Sequence, residues 1–377
     1  MLKWISIVLL AWISASSYVQ AIEPYEGLTE RQIKRHRSVA MNPDKPLTSR
    51  IRAMKKLYSH ILVDGEMPPQ TICVWDPLGK NGPIYNSSLD QKARFVHYGV
   101  KLNIEAYTSE SVLVGDFKSK ICDAALMTGF RARQFNKFTG TIDAFGAMPD
   151  HKQLKTLMQV ITNPQFASKM QNGKHLIIGI VPIGSAHFFV NDKKVTSLDK
   201  IAGKRFAVLE YDSMQTSIAK TYGATPVPTS LATAGSKFNN GVIDVLPAPL
   251  VAYNMMELQR GFGSNGGIIE TPFAQTTLQL VAWEDSFPPE VAQFAREDFY
   301  LKFNQQYKQA QDAVGVIPDK AWIKLSPAER QAYNDSMQKV RLDLRKKGYY
   351  DKAMLKIMRK VRCKYTPTNA ECTNPKE

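Results

Sequence analysis

The chain has 377 residues, of which 44% are hydrophobic and 22% charged, a composition that excludes a disordered protein and is typical of a globular one. Its length favours two lobes of ordinary domain size over a single core. Its formal charge of +15 favours contact with an anionic partner. Which anionic partners the protein can meet depends on its cellular compartment.

The amino terminus predicts export. Lys3 gives a charged start, residues 4–12 form an apolar stretch too short to span a bilayer, and residues 19–21 carry the small-x-small pattern of a cleavage site. We therefore expect residues 1–21 to be a cleaved signal peptide and the mature chain to be periplasmic; a retained anchor or a buried core helix is the alternative. In that compartment nucleic acid is not an expected partner, whereas peripheral contact with an anionic envelope surface is.

Four cysteines in an exported chain are expected to pair, and three connectivities are possible. Cys363 and Cys372 are close in sequence, which favours a local bridge between them. That choice leaves Cys73 with Cys122, each in a short apolar run that neighbouring parallel strands could bring together. A zinc site is the rival, but no CxxC pair is present and no histidine lies at ligand spacing.

The first half of the chain predicts a parallel sheet. Residues 22–66 form a basic helical extension, broken near Pro43 and Pro46, and an alternation of strands and helices follows it. Continuous apolar strands joined by helices call for a parallel sheet with helices on both faces. The predicted order is strand 71–75, helix 88–98, strand 101–107, helix 109–118 and strand 121–127.

The second half predicts another α/β lobe and a helical end. Residues 151–170 form a helix interrupted at Pro164, and two apolar strands separated by Gly184 and Ser185 mark the passage into the second lobe. Alternation at residues 276–282 predicts a strand that returns to the first lobe. The remaining predicted elements are strands 175–182, 186–191, 204–209 and 242–246, and helices 213–222, 231–239, 290–314, 327–347 and 349–363.

Signals for catalysis and cofactors are absent from the sequence. No histidine has a second metal-ligating residue at a recognised spacing, and neither a nucleophile elbow nor a phosphate-binding loop occurs. Residues 261–266 match the dinucleotide pattern by letter, but a helix-like segment precedes them and an extended one follows, so a turn is the better interpretation. We therefore expect no enzyme, no cofactor and no metal.

A set of short segments in a fixed order resembles the TRAP-transporter-type, dicarboxylate-receptor-like periplasmic solute-binding proteins. The resemblance covers residues 70–330 and rests on segments 121–125, 182–189, 195–208, 240–245 and 325–329. It implies a type II periplasmic-binding-protein-like α/β fold with two lobes, crossing hinge strands and long C-terminal helices. It also implies an inner-membrane permease as partner. The expected division is 1–21 signal, 22–66 extension, 67–182 lobe 1, 183–275 lobe 2, 276–362 return to lobe 1 with the C-terminal helices, and 363–377 disulfide-stapled tail.

One departure from that family concerns the ligand. Its receptors usually carry an arginine that grips a substrate carboxylate, and the corresponding place here falls on Ala207. Arg205 lies on the same strand face but is displaced by about 6–7 Å. Arg131 and Arg133 are the candidate replacements, and Lys193 is a weaker one; ordinary surface charges are the alternative for each.

Ligands of open α/β sheets lie beyond the C-terminal ends of the strands, and this rule selects the candidate site. We expect hinge closure near Pro182 and Thr277 to trap one small molecule for delivery to a permease. An envelope accessory protein of a drug-efflux or stress system, docked through its basic helices without a ligand, is the alternative, and an enzyme on the same scaffold is a third. The candidate ligand-binding residues are Trp75, Asp76, Tyr107, Thr128, Arg131, Arg133, Ser185, Tyr211, Asp212, Ser213 and Pro247.

Overall fold

The computed structural model describes residues 21–377, so the predicted signal peptide lies, except for Ala21, outside the described residues. The strands of the described part are β1 Met67–Trp75, β2 Val100–Tyr107, β3 Ala124–Thr128, β4 Gln171–Asn172, β5 His175–Val190, β6 Arg205–Leu209, β7 Thr225–Thr229, β8 Val245–Pro249, β9 Gly267–Ile269, β10 Ala274–Trp283 and β11 Trp322–Ile323.

Helices cover both faces of the sheet. The α-helices are α1 Glu30–Ala40, α2 Leu47–Leu57, α3 Pro83–Phe95, α4 Glu110–Lys118, α5 Gly129–Ala132, α6 Lys137–Gly140, α7 His151–Thr162, α8 Ser213–Thr221, α9 Ala234–Asn239, α10 Ala252–Met255, α11 Pro289–Leu301, α12 Phe303–Val314, α13 Pro327–Lys346, α14 Lys352–Tyr365 and α15 Ala370–Thr373. Short 3₁₀ turns lie at Gly79–Asn81, Val96–Tyr98, Pro164–Met170, Leu198–Lys200, Leu258–Phe262 and Asp319–Ala321.

One sheet passes through both lobes, in the order β2-β1-β3-β10-β5-β8-β6-β7. We call the half that contains β2, β1, β3 and β10 lobe 1, and the half that contains β8, β6 and β7 lobe 2. Strand β5 belongs to both, since its first part pairs antiparallel with β10 and its last part pairs antiparallel with β8. Within the lobes, β1 is parallel to β2 and β3, and β6 is parallel to β7 and β8. The predicted two-lobed α/β fold with crossing strands is confirmed.

Local signals explain most of lobe 1. The Ser109 hydroxyl accepts the Val112 amide and begins α4, as an N-cap should. Strand β1 buries Ile72, Cys73 and Val74 because helices cover both of its faces. Both predicted disulfides are present, Cys73–Cys122 joining β1 to the segment just before β3 and Cys363–Cys372 closing the tail.

Three differences from the sequence predictions concern β5, β7 and the helices α11 and α12. The two strands expected around Gly184 are one strand, because a bulge at Ile183 and the positive φ of Gly184 absorb the irregularity without ending the pairing with β10. Strand β7 was not predicted, since Pro226 and Pro228 each remove a ladder donor; it lies at the edge of the sheet, where proline is tolerated. The helix expected over 290–314 is two helices that divide at Lys302.

The basic extension is part of the lobe 1 core. Ala40 of α1, Met54 and Leu57 of α2, and Tyr58 just after α2 are buried in the same apolar cluster as residues of α11. The Arg50 guanidinium donates to both carboxylate oxygens of Glu297 at 2.7 and 3.0 Å. Arg37 forms a second ion pair, with Glu290 at 3.0 Å, so the extension is docked by its apolar face and by two ion pairs.

The C-terminal helices contact both lobes. Helix α13 contacts the turn Leu198–Lys200 of lobe 2, and α14 packs on α7 of lobe 1. The Arg362 guanidinium donates to Glu371 at 2.6 Å and to Glu377 at 2.7 Å, which holds the stapled tail against α14. Among residues 21–377, no helix combines the length and apolarity that crossing a membrane requires.

Candidate ligand-binding cleft

A cavity of about 290 Å³ lies between the two lobes, beside the paired strands β5 and β10 that connect them. This volume is close to the lower end of the range for small-molecule sites, which begins at roughly 300 Å³. Trp75 and Leu126 line it from lobe 1, Pro182 and Thr276 from the crossing strands, and Ala207 from lobe 2. Other lining residues are Thr128, Phe130, Phe145, Leu209, Gln215, Leu246, Pro247, Ala248, Met255, Met256, Phe273, Phe299, Gln306 and Ala310.

The cavity wall is uncharged. Among the residues that the structure describes, those lining the cavity include no aspartate, glutamate, lysine, arginine or histidine. Its backbone also offers few donors, because proline has no N–H and several of the lining positions at or near strand ends are prolines. These are Pro77, Pro83, Pro182, Pro247 and Pro249.

A buried aspartate occupies the helix start that faces the cavity from lobe 1. Helix α3 begins at Pro83, and its first free amides, those of Ile84 and Tyr85, donate to the Asp76 carboxylate at 2.8 and 3.0 Å. Asp76 is completely buried, and a Cβ on Gly82 would stand 1.8 Å from its Oδ1. The anion-binding capacity of this helix start is thus used by the protein's own carboxylate.

A second aspartate does the same in lobe 2. The Oδ1 atom of Asp212 accepts the amides of Met214 and Gln215 at the start of α8, each at 3.1 Å. Its Oδ2 atom accepts the hydroxyl of Tyr349 and lies 3.8 Å from the Arg133 guanidinium. The donors that a ligand anion would use at this helix start are therefore also taken.

Arg131 reaches across the cleft from lobe 1 to lobe 2. Its Nε lies 3.5 Å from Glu110 Oε2, its Nη2 donates to Ser111 at 2.9 Å, and its guanidinium lies 3.4 Å from the centre of the Tyr211 ring. The Arg131 and Glu110 side chains are 11% and 4% exposed. Burial raises the pKa of Glu110, while the Thr128 amide and Arg131 oppose that shift.

Arg133 is also held by protein groups. Its Nε and Nη2 donate to the Gly140 carbonyl at 3.1 and 3.0 Å, and its Nη1 donates to the Tyr349 hydroxyl. The guanidinium lies 4.1 Å from the centre of the Tyr349 ring and faces Asp212 of lobe 2. Neither Arg131 nor Arg133 lines the cavity.

Two buried titratable groups lie at the crossing strands. Asp143 accepts the Thr277 hydroxyl of β10 at 2.8 Å, and burial raises its pKa to about 7. On β5, His187 Nδ1 donates to the Ile269 carbonyl at 2.8 Å and Nε2 accepts the Ser185 hydroxyl at 2.9 Å. Burial lowers the pKa of His187 to about 4, so the ring is neutral near pH 7. Neither group stood in a recognisable motif, and sequence reasoning missed both.

The predicted site residues fall into two groups. Three line the cavity: Trp75, Thr128 and Pro247. The others lie around it, and most already have protein partners: Asp76, Tyr107 (bonded to Asp116), Arg131, Arg133, Ser185, Tyr211, Asp212 and the exposed Ser213.

The two remaining cations named from the sequence lie outside the cavity. Arg205 pairs with Asp244 at 2.6 Å and is about half exposed, while Lys193 is an exposed loop residue. Most of the apolar wall was not predicted. The concentration of proline at the strand ends was the sequence signal that could have indicated it.

Comparison with known proteins identifies relatives of this chain. Residues 94–377 match the family model described as solute-binding protein AdeT 1/2. The probable solute-binding protein AdeT1 of Acinetobacter baumannii is 35% identical over 299 residues, covering 79% of this chain and 98% of that protein. The probable solute-binding protein AdeT2 of the same organism is 25% identical over 233 residues, covering 62% and 98%.

Solved structures share the fold at low sequence identity. A TRAP periplasmic solute-binding protein of Ralstonia eutropha H16 with bound (S)-2-acetolactate gives a TM-score of 0.61 at 14% identity, covering 78% of this chain and 98% of that one. Another, from Desulfovibrio salexigens with bound orotic acid, gives 0.60 at 15% identity, covering 80% and 99%. At this identity the likeness concerns the fold alone.

Proposed function

Because the chain belongs to the AdeT 1/2 family of solute-binding proteins, we propose that it captures a small molecule between its lobes in the periplasm. It then delivers that molecule, chemically unchanged, to a TRAP-type permease of the inner membrane. The observation that carries the proposal is the 290 Å³ cavity between the two lobes, beside the strands β5 and β10 that connect them. The predicted signal peptide and the periplasmic proteins that share this fold support the compartment.

Closure takes place about the crossing strands. Strand β5 carries the chain from the predicted lobe 1, 67–182, to the predicted lobe 2, 183–275, and β10 carries it back to lobe 1, which continues over 276–362. The bulge at Ile183 and Gly184 is a local irregularity at which β5 can bend. Opening the cleft would separate Arg131 from the Tyr211 ring, and Arg133 from Asp212. These contacts are therefore latches of the closed form.

The proposal is tested by asking whether purified protein carries or binds a solute in the cleft. The full-length chain is exported, purified from periplasm and examined by native mass spectrometry, followed by a thermal-shift screen of small solutes. A ligand at a hundredfold excess over Kd stabilises the folded state by about 2.7 kcal/mol, enough to raise the melting temperature measurably.

A cavity-filling variant locates the binding. Ala310→Trp places an indole on the wall from α12 and should abolish both the bound mass and the thermal shift. Ala353→Trp, on the exposed face of α14, is the matched control and should change neither. If no solute binds saturably, the capture proposal fails and the docking role of an accessory envelope protein takes its place.

A further inference from the structure

The geometry points to a ligand class for this cleft: we propose that the captured solute is an uncharged, largely apolar molecule that offers one hydrogen-bond donor. This inference rests on the proposed function, because it concerns the occupant of the same cavity. It separates this cleft from one built to grip an organic acid.

Among the described residues, no cation is available to a ligand in the cavity. Ala207, on β6, lines the cavity where the family resemblance would put a carboxylate-binding arginine. Arg131 and Arg133 are the nearest candidates to replace it, and each is held by protein groups on several sides. Taking either for a ligand would leave Glu110 or Asp212 buried beside fewer partners, which is unfavourable for a desolvated carboxylate.

The backbone donors at two helix starts beside the cleft are also occupied. Helix starts bind anions because their free amides point outward, but the amides at the starts of α3 and α8 already donate to Asp76 and Asp212. A ligand carboxylate in this cleft would therefore lose its hydration and find neither of these amide sets nor a cation to replace it.

Several polar side chains of the wall already have partners within the protein. The hydroxyls of Ser88, Thr276 and Thr277 donate to Ile84, Gly184 and Asp143, and the Gln91 amide donates to Asp298. Each of these groups is bonded inside the protein. The wall that remains for a ligand is mainly aliphatic, aromatic and thioether, surfaces that attract apolar molecules.

Among the described residues that line the cavity, one fully buried polar side-chain atom lacks a partner. The Gln306 side-chain oxygen on α12 is buried and has no hydrogen-bond partner among the described residues, and the residue is 8% exposed. A buried acceptor without a donor is unfavourable, so a ligand hydroxyl or amide N–H that reaches it gains a bond that the empty cleft lacks. We therefore expect the otherwise apolar ligand to carry one hydrogen-bond donor.

The experiment compares a neutral ligand with its matched anion. The neutral fluorophore N-phenyl-1-naphthylamine is bound to the full-length mature protein at pH 7.5 and displaced by 1-decanol or by decanoate, both below their aggregation concentrations. We expect saturable probe fluorescence and displacement by decanol at a concentration at least tenfold lower than by decanoate. Gln306→Met should weaken the binding of decanol severalfold. It should change the affinity of the probe by no more than about twofold, because that aromatic amine is anchored mainly by its rings.

Ala207→Arg places a guanidinium in the wall and should reverse or abolish the preference for the alcohol, whereas Ala353→Arg on the surface should not. The preference of the wild-type protein between decanol and decanoate tests the ligand class even if the Ala207 variant does not fold. If decanoate binds as tightly as decanol, or if a screen finds only acids, the proposed ligand class is wrong while the proposal of solute capture still holds. Absence of any saturable ligand overturns both proposals.

Discussion

Replacing Arg131 with methionine tests whether this arginine stabilises the folded protein. Methionine keeps much of the apolar length of the side chain and removes the charge. The Glu110 carboxylate, only 4% exposed, would keep the Thr128 amide at 2.7 Å and lose its counter-ion. Breaking a buried ion pair from one side costs about 3–5 kcal/mol, and the lost stacking on Tyr211 adds about 1–2 kcal/mol. We expect the free energy of unfolding to fall by at least about 3 kcal/mol.

Urea unfolding followed by tryptophan fluorescence measures this loss. The double variant Arg131→Met with Glu110→Gln should recover most of it, because a neutral glutamine keeps the Thr128 bond and needs no counter-ion. Arg330→Met is the control, since its partner Glu270 lies at 2.7 Å but Arg330 is 54% exposed, and it should cost at most about 1 kcal/mol. A loss below 1 kcal/mol in Arg131→Met, or a double variant no more stable than the single, would refute the reasoning.

Two further predictions concern stability. Replacing Cys73 and Cys122 with serine opens a loop with a sequence separation of 49 and should lower the free energy of unfolding by about 4 kcal/mol, measured by urea titration without reductant. Asp143→Asn should alter the pH dependence: burial raises the folded pKa to about 7 from the ordinary 3.8, so the native protein loses stability as pH rises from 4 to 7. The asparagine variant lacks this proton, and its stability relative to wild type should increase by about 1–3 kcal/mol between pH 5 and pH 8.

The chain supplies internal controls for both measurements. The Cys363–Cys372 bridge has a separation of only nine, so its removal should cost less, about 2.5 kcal/mol. A larger loss from the short bridge would contradict the loop-entropy argument.

His187, whose lowered pKa destabilises the fold as pH falls below 6.5, acts in both wild type and Asp143→Asn and cancels in their difference. Parallel pH curves for those two proteins would show that Asp143 is ionised in the fold.

Much of the architecture follows from local sequence. The apolar runs of β1, β2 and β3 and the cap at Ser109 predicted the strand–helix order of lobe 1 within a few residues. The even cysteine count and their spacing predicted both disulfides. These features depend on residues near one another in the chain, or on a choice among three pairings, so a linear pattern suffices to infer them.

The character of the cleft, by contrast, was decided by the tertiary structure. The sequence indicated which loops meet beyond the strand ends, and it offered Arg131 and Arg133 as cations for a ligand. Whether an arginine is available depends on every group that the fold brings near it, and Glu110, Tyr211 and Tyr349 come from distant parts of the chain. A buried charge is stable only where the surrounding dipoles and counter-ions compensate its lost hydration. That compensation depends on which residues the tertiary structure brings into contact with the charge.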